Sequence, residues 1–378
     1  MRLPVALQLS GDRVLDALTP ALATLAALGI GALLIGLLGV NPLEAYGAGL
    51  AGAITETNGL AQTLIKATPL LLVGLGICIS FRGGMVNIGG EGQIILGALA
   101  AAAFSLAFRD WPGVALAPLT LIVGTLAGAV WGGIAGLLKA RLGVNEILST
   151  VMLNQIAIQL MYYLLRGPMI DPEQVAQGTG YPQSEQLPEQ VWLLRLAPPT
   201  RLHLGIVIAL ALAALVFIFL WRTTIGYRIR AVGLNPSASR YAGLDVPAYL
   251  TLSLTLSGAF CGLAGAVEVT GVSHRVLEGV SGGYGFSGIV AALFGGLHPI
   301  GTIPASILFG GLYVAAQKMQ QAEQIPAVMR DVILGLVVVF VVSSDYFTRR
   351  RARRRAVAEE IPVETVAAPA EPTREALP

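Results

Sequence analysis

Phe81-Arg82-Gly83-Gly84-Met85-Val86-Asn87-Ile88-Gly89-Gly90-Glu91-Gly92-Gln93 is the stretch that decides how the chain must be read. Its glycines at 83, 84, 89 and 90 break a helix. Asn87, Glu91 and Gln93 are costly wherever they meet lipid. Yet the stretch sits between two apolar runs, 64–80 and 94–108. Non-helical backbone at membrane depth is tolerated only where it lines a cavity or is buried in protein. Two readings follow. One is a broken helix whose Asn87, Glu91 and Gln93 face a path for a polar solute. The other is an ordinary glycine loop at the cytoplasmic surface.

The rest of the chain favours a membrane setting. Of 378 residues, 55% are hydrophobic and 12% charged, and the mean hydropathy is +0.73. Soluble chains carry about a quarter charged residues, so one soluble domain cannot hide this much apolar surface. The 46 glycines suit helices that approach closely in lipid. Apolar runs long enough for helices occur near 18–40, 64–80, 94–108, 113–137, 145–165, 203–221, 249–271, 284–297, 302–317 and 328–344. The fold class expected is an all-α polytopic membrane protein with about ten transmembrane helices. The run at 284–297 is short enough to be re-entrant rather than spanning. The first run has no convincing cleavage site after it and is read as a retained span.

Orientation follows from Lys and Arg. Arg349, Arg350, Arg351, Arg353, Arg354 and Arg355 place the tail inside, and Arg222, Arg228, Arg230 and Arg240 place their loop inside. Lys139 with Arg141, Arg82, and Arg2 with Arg13 agree. Both termini are then cytoplasmic and 166–202 is an extracytoplasmic loop. The membrane-embedded core covers 1–345, with 222–248 as a cytoplasmic loop. The tail 346–378, basic and then rich in Pro and Glu, is expected to be disordered.

Gly83-Gly84 leads into an apolar helix, and Gly282-Gly283 does the same. Gly124-Thr125 before Gly132-Gly133 is matched by Gly301-Thr302 before Gly310-Gly311. Five spans plus five would invert the second set, the arrangement typical of transporters with broken helices. Chance likeness between glycine-rich helices is the bland alternative.

Two further segments carry polar groups. In 143–155, Asn145 is placed to cap a helix and Glu146 suits its positive end. Asn154 and Gln155 lie deeper, about 100° apart on the helix, so both need partners: helix–helix hydrogen bonds or a solute. In 226–244, Asn235-Pro236 starts a helix and Gly243 stops it. This short helix bears Arg240 and Tyr241. It is either a docking element for a soluble partner or a solvated loop.

Catalytic and metal-binding signals fail. Gly283-Tyr284-Gly285-Phe286-Ser287-Gly288 fits a dinucleotide fingerprint but lacks its strand. No Walker A loop is present. His203, His274 and His298 have no metal-ligand spacing, and Cys78 and Cys261 sit in apolar runs. Gly285-Phe286-Ser287-Gly288 is similar to the serine motif of intramembrane proteases, which needs a histidine within reach. The only later histidine is His298.

Taken in order, Gly83 to Gln93, Asn145 to Asn154 and Gly226 to Leu244 resemble the permease subunits of ABC importers for nucleosides and simple sugars. The likeness runs from about residue 20 to 345, with Ser239 where alanine is usual. It implies a pathway role for Asn87, Glu91, Gln93, Asn154 and Gln155. It implies ATPase coupling through Arg230, Gly233, Asn235, Pro236, Arg240, Tyr241 and Gly243. It also implies partners: an ABC ATPase subunit that holds ATP and Mg, a second permease subunit, often a different one, and an extracytoplasmic substrate-binding lipoprotein. No cofactor bound by this chain and no nucleic-acid partner is expected. The location implied is the cytoplasmic membrane of a prokaryote. A carrier or channel working without an ATPase is the alternative.

Overall fold

The computed structural model describes residues 25–55 and 57–323, with isolated positions at 22, 332, 335, 336, 339, 340 and 343. The expected span at 328–344 and the tail 346–378 thus lie largely or wholly outside the described residues. Among these residues the chain is helical, with only two isolated β-bridges, Gln183 to Leu277 and Arg195 to His203. Seven helices are long and apolar enough to cross a membrane, and two apolar helices are shorter.

The chain opens with α1 (Leu25–Leu37), α2 (Pro42–Leu50) and a π turn. Asn41 caps α2 and Pro42 fills its first turn. Then come α3 (Thr57–Arg82), α4 (Gly90–Ala107), α5 (Gly113–Leu142) and α6 (Glu146–Leu165). A long irregular strap follows, holding the short α7 (Pro172–Ala176). After it run α8 (Gly205–Arg222), α9 (Thr224–Leu234), α10 (Pro236–Tyr241) and α11 (Val246–Glu268), which continues as a π turn to Ser273. The last described helices are α12 (Tyr284–Phe294) and α13 (Pro299–Glu323).

Several helices exceed the apolar runs that signal them. Thr57–Arg82 extends past 64–80 because Asn58 and Gln62 are helical but polar. Gly90–Ala107 begins before residue 94 because Glu91 and Gln93 are buried inside protein, not exposed to lipid. Conversely, α12 has 11 residues. At ~1.5 Å per residue it covers about 16 Å, half a hydrocarbon core of ~30 Å. It is too short to span alone.

The matching glycine segments fall on two trios of helices that pack reciprocally. The unit α3–α4–α5 corresponds to α11–α12–α13. Helix α11 packs on α4 and α5, while α3 packs on α12 and α13, and α3 and α11 pack on each other. Small residues permit these crossings. A Cβ at Gly128 of α5 would meet the Gly262 Cα of α11 at 2.5 Å. A Cβ at Gly310 of α13 would meet the Thr63 oxygen of α3 at 2.6 Å.

The two units run oppositely. Helices α4 and α12 start side by side, where a Cβ on Gly90 would lie 3.1 Å from the Gly285 Cα. From there α4 runs to the end carrying the strap, where Arg109 pairs with Glu185 at 3.0 Å. Helix α12 runs the other way, to Gly296 and Leu297 beside Arg82. The strap closes over the residues between α11 and α12. Ser184 donates its N–H to the Val276 carbonyl at 3.0 Å, and Leu187 donates to His274 at 2.8 Å.

Candidate translocation site

Helix α3 ends because Gly84 adopts the left-handed conformation, φ +73°. Met85 N–H then closes back on the Ser80 carbonyl at 2.9 Å. Residues 85–88 belong to no helix, and a turn at Gly89 leads into α4.

Asn87 is the hub of this segment. Its Nδ2 donates to Gln93 Oε1 at 2.9 Å and to Ser257 Oγ at 2.8 Å. Its Oδ1 accepts from Gly89 N–H at 2.9 Å and from Gln93 Nε2 at 3.2 Å. Asn154, from α6, braces the same loop. Its Oδ1 accepts the Gly92 N–H at 2.8 Å, and its Nδ2 donates to the Ile88 carbonyl at 2.9 Å. Glu91 reaches across the meeting point and accepts the Phe286 N–H at 3.2 Å. It thereby fills an orphan donor in the first turn of α12. Exposures of 0% for Asn87, 1% for Gln93, 2% for Asn154 and 6% for Glu91 leave little of this group to a solute. Gln155 stands apart, on the exposed face of α6 with Gln159. Of the five residues expected in the pathway, four therefore meet in one self-bonded cluster and one faces outward. Ser257 belongs to the cluster and carries no signal in the sequence.

A second polar region was not legible as a site. A cavity of about 570 Å³ lies between α3 and α13 at the strap end of the bundle. Asn58, Gln62 and Lys66 line one wall, four residues apart, and Gln317, Lys318 and Gln321 line another. The spacing is visible in the sequence, but a hydropathy reading trims Asn58, Gln62, Lys318 and Gln321 away and leaves Lys66 and Gln317 at the ends of their runs.

The segment 222–245 forms two helices, not one. Asn235 caps α10 through its Oδ1, which accepts Ala238 N–H at 3.0 Å, and Gly243 ends it at φ +79°. Arg240 is exposed, and Tyr241 and Leu234 are 95% and 87% exposed. Arg230 and Gly233, on α9, face inward instead. Gly84 and Gly233 touch so closely that a Cβ on Gly84 would be 3.0 Å from the Gly233 Cα. The Arg230 and Arg82 guanidinium groups each lie 5.5 Å from the Trp221 ring centroid. Arg82 also donates to the Leu297 carbonyl at 3.2 Å, at the end of α12. At the next junction Asn145 caps α6 as expected, and Glu146 pairs with Lys139 at 2.8 Å.

Ser287 meets the Tyr313 hydroxyl at 3.0 Å, whereas His298 packs against Trp221 at 4.8 Å between ring centroids. The protease-like constellation is not assembled. Among the described residues no group of three His, Cys, Asp or Glu is placed to hold a metal.

Opposed helical repeats, a broken helix and a half-length partner define a multi-pass membrane permease. The chain belongs to the family of branched-chain amino acid transport system permease components, whose model matches residues 59–342. It is 36% identical over 333 residues to the guanosine ABC transporter permease protein NupP of Bacillus subtilis, covering 88% of this chain and 94% of that one. It is 34% identical to the glucose ABC transporter permease protein TsgB13 of Haloferax volcanii, covering 88% and 89%. It is 31% identical to the nucleoside ABC transporter permease protein NupB of Lactococcus lactis, covering 86% and 90%. No solved structure matches the chain.

Proposed function

We propose that this chain is a permease subunit of an ABC importer that moves nucleosides or similar sugars into the cell. The observation that carries the reading is likeness along nearly the whole chain to permeases named for guanosine, nucleosides and glucose.

In this reading the 222–245 end, rich in Arg, is cytoplasmic and the strap end is outside. An ATPase subunit with ATP and Mg docks on α10, against Leu234, Arg240 and Tyr241. Arg230 and Gly233 pass its movement inward, to Trp221, Arg82 and the turn at Gly83-Gly84. A second permease subunit packs on the open face of α6, where Gln155 and Gln159 are too costly for bare lipid. An extracytoplasmic lipoprotein delivers the solute over the strap. The central group of Asn87, Glu91, Gln93 and Asn154 holds the broken helices in register beside the path.

The test is uptake of radiolabelled guanosine and uridine by cells expressing the chain with its ATPase and permease partners. A catalytically dead ATPase is expected to abolish uptake. Uptake that persists would instead mean a carrier working without ATP.

A further inference from the structure

Two arginines meet at one indole where α3 and α8 end. Arg82 is the last residue of α3, and Trp221 is the last but one of α8. The Arg82 guanidinium lies 5.5 Å from the Trp221 ring centroid, and so does that of Arg230, on α9. The two charges are therefore no more than twice that distance apart, close to the ~10 Å over which salt screens exposed charges. Both residues are half-buried. Beside apolar rings they are screened less than in water, and each raises the energy of the other. No carboxylate answers them: among the described residues the ion pairs engage Arg109, Lys139, Arg166 and Arg275.

Their hydrogen bonds are unequal. A guanidinium has five N–H donors. Arg82 donates Nε–H to the Leu297 carbonyl at 3.2 Å and Nη2–H to that of Gly296 at 3.4 Å, and its other donors stay open. Arg230 has no acceptor among the described residues, although its Nε is buried. A buried N–H without an acceptor is costly, and here the protein itself supplies none. There is room for an outside group, since a Cβ at Gly296 would meet nothing within 4 Å. The bias of Lys and Arg toward one side of a membrane explains their presence at this end. It does not explain why two of them, from different helices, converge on one ring.

We infer that Arg82 and Arg230 bind the phosphate of an anionic membrane lipid, beside Trp221. The depth fits. Helices α3 and α8 are both long and apolar enough to cross a membrane, so their ends lie at the headgroups, where Trp concentrates. The flanks fit as well. Ile218, one turn before Trp221, Phe294 at the end of α12 and Ile300 at the start of α13 are exposed. They give acyl chains a surface that a free phosphate would leave bare. Guanidinium forks match phosphate oxygens in pairs, and a lipid with net negative charge neutralises the excess the arginines bring. A soluble subunit on α10 finds Arg240 exposed there, whereas Arg230 turns the other way, to Trp221. A bound lipid ties the end of α3 to α9 and, through Arg82, to the turn after α12. The inference needs the membrane class of the chain and neither its cargo nor its ATPase.

Native mass spectrometry of the full-length chain, purified in mild detergent with the subunits it retains, reads the lipid directly. Dioleoyl phosphatidylglycerol and dioleoyl phosphatidylcholine, equal in their chains, are added in turn. The wild-type chain is expected to retain the anionic lipid several-fold more, a comparison that requires no variant to fold. Arg230→Gln removes no hydrogen bond of the described fold and should lower that retention on the order of tenfold, the loss of a charge-assisted contact. Arg141→Gln, which removes an exposed charge at the end of α5, should leave it unchanged. Equal retention of the two lipids, or an equal loss in Arg141→Gln and Arg230→Gln, would overturn the site. Displacement of phosphatidylglycerol by millimolar inorganic phosphate would overturn the lipid and assign the arginines to a free anion. Retention that appears only after a co-purifying soluble subunit is stripped away would assign them to an acidic side chain of that subunit, and would overturn it equally.

Discussion

The group around Asn87 and the cavity above Lys66 are both rich in amides, with Glu91 as the charged type at the centre and Lys66, Lys318 and Arg201 around the cavity, yet they are opposites. At the centre every amide is consumed inside the chain: Asn87 by Gln93, Ser257 and Gly89, and Asn154 by Gly92 and Ile88. Between α3 and α13 the amides border an open volume. The difference separates two uses of polarity in a membrane protein. One closes a gap in the backbone's own hydrogen bonding, and the other keeps a space wet. A polar residue in an apolar helix is thus no sign of a pathway until its partners are known.

The strongest way to break this comparison is Asn87→Ala. It leaves Gln93, Ser257 and the Gly89 N–H without their buried partner. At ~1–3 kcal/mol per orphaned group, it is expected to cost about 4 kcal/mol or more and to unfold a marginal membrane domain. Thermal melting of the purified complex in detergent would show it. A melting point unchanged from wild type would mean that the centre is not self-supporting.

A smaller effect separates the two regions by pH. His203, in the strap beside Thr200 and Arg201, is buried, and burial followed by the nearby His274 lowers its pKa from 6.5 to about 4. The folded strap therefore holds His203 neutral, while the unfolded strap binds a proton below pH 6.5. Stability is full above that value and falls as the pH drops toward 4, by up to ~3 kcal/mol. Hydrogen exchange should show residues 195–204 opening between these values, with residues 85–93 still protected. His203→Gln should flatten the pH response.

The smallest change is Gln62→Leu. A side chain beside a void loses no fixed partner, so stability should stay within about 0.5 kcal/mol. A fall in melting point like that of Asn87→Ala would erase the distinction between the two regions.

What the sequence shows depends on the range of the interaction. Asn145, and Asn235-Pro236 with Gly243, were legible because a cap involves only its own turn. The inverted units were legible through paired glycines, since the crossings need small residues at corresponding places. Asn154 and Gln155 could not be told apart. They are neighbours in sequence, and only the position of α4 decides that one is bonded and the other exposed. Arg230 and Arg240 look alike in a basic loop, yet α9 turns the first toward Trp221 and α10 turns the second outward. Asn58 and Gln62 escaped because lipid-based hydropathy treats a polar helix end as the end of the helix, and Lys66, inside the run 64–80, carried no signal without them.

The closed bonding at the centre also bears on how the subunit is made. A polar gap that needed a partner chain would have to stay at the translocon, or be degraded, until the partner arrived. Here the loop from 83 to 89 finds its hydrogen bonds on helices of its own chain, the last of them on α11. The hazardous interval in biogenesis is therefore internal: it lasts from the synthesis of Asn87 to the insertion of Ser257 and, for Glu91, of Phe286.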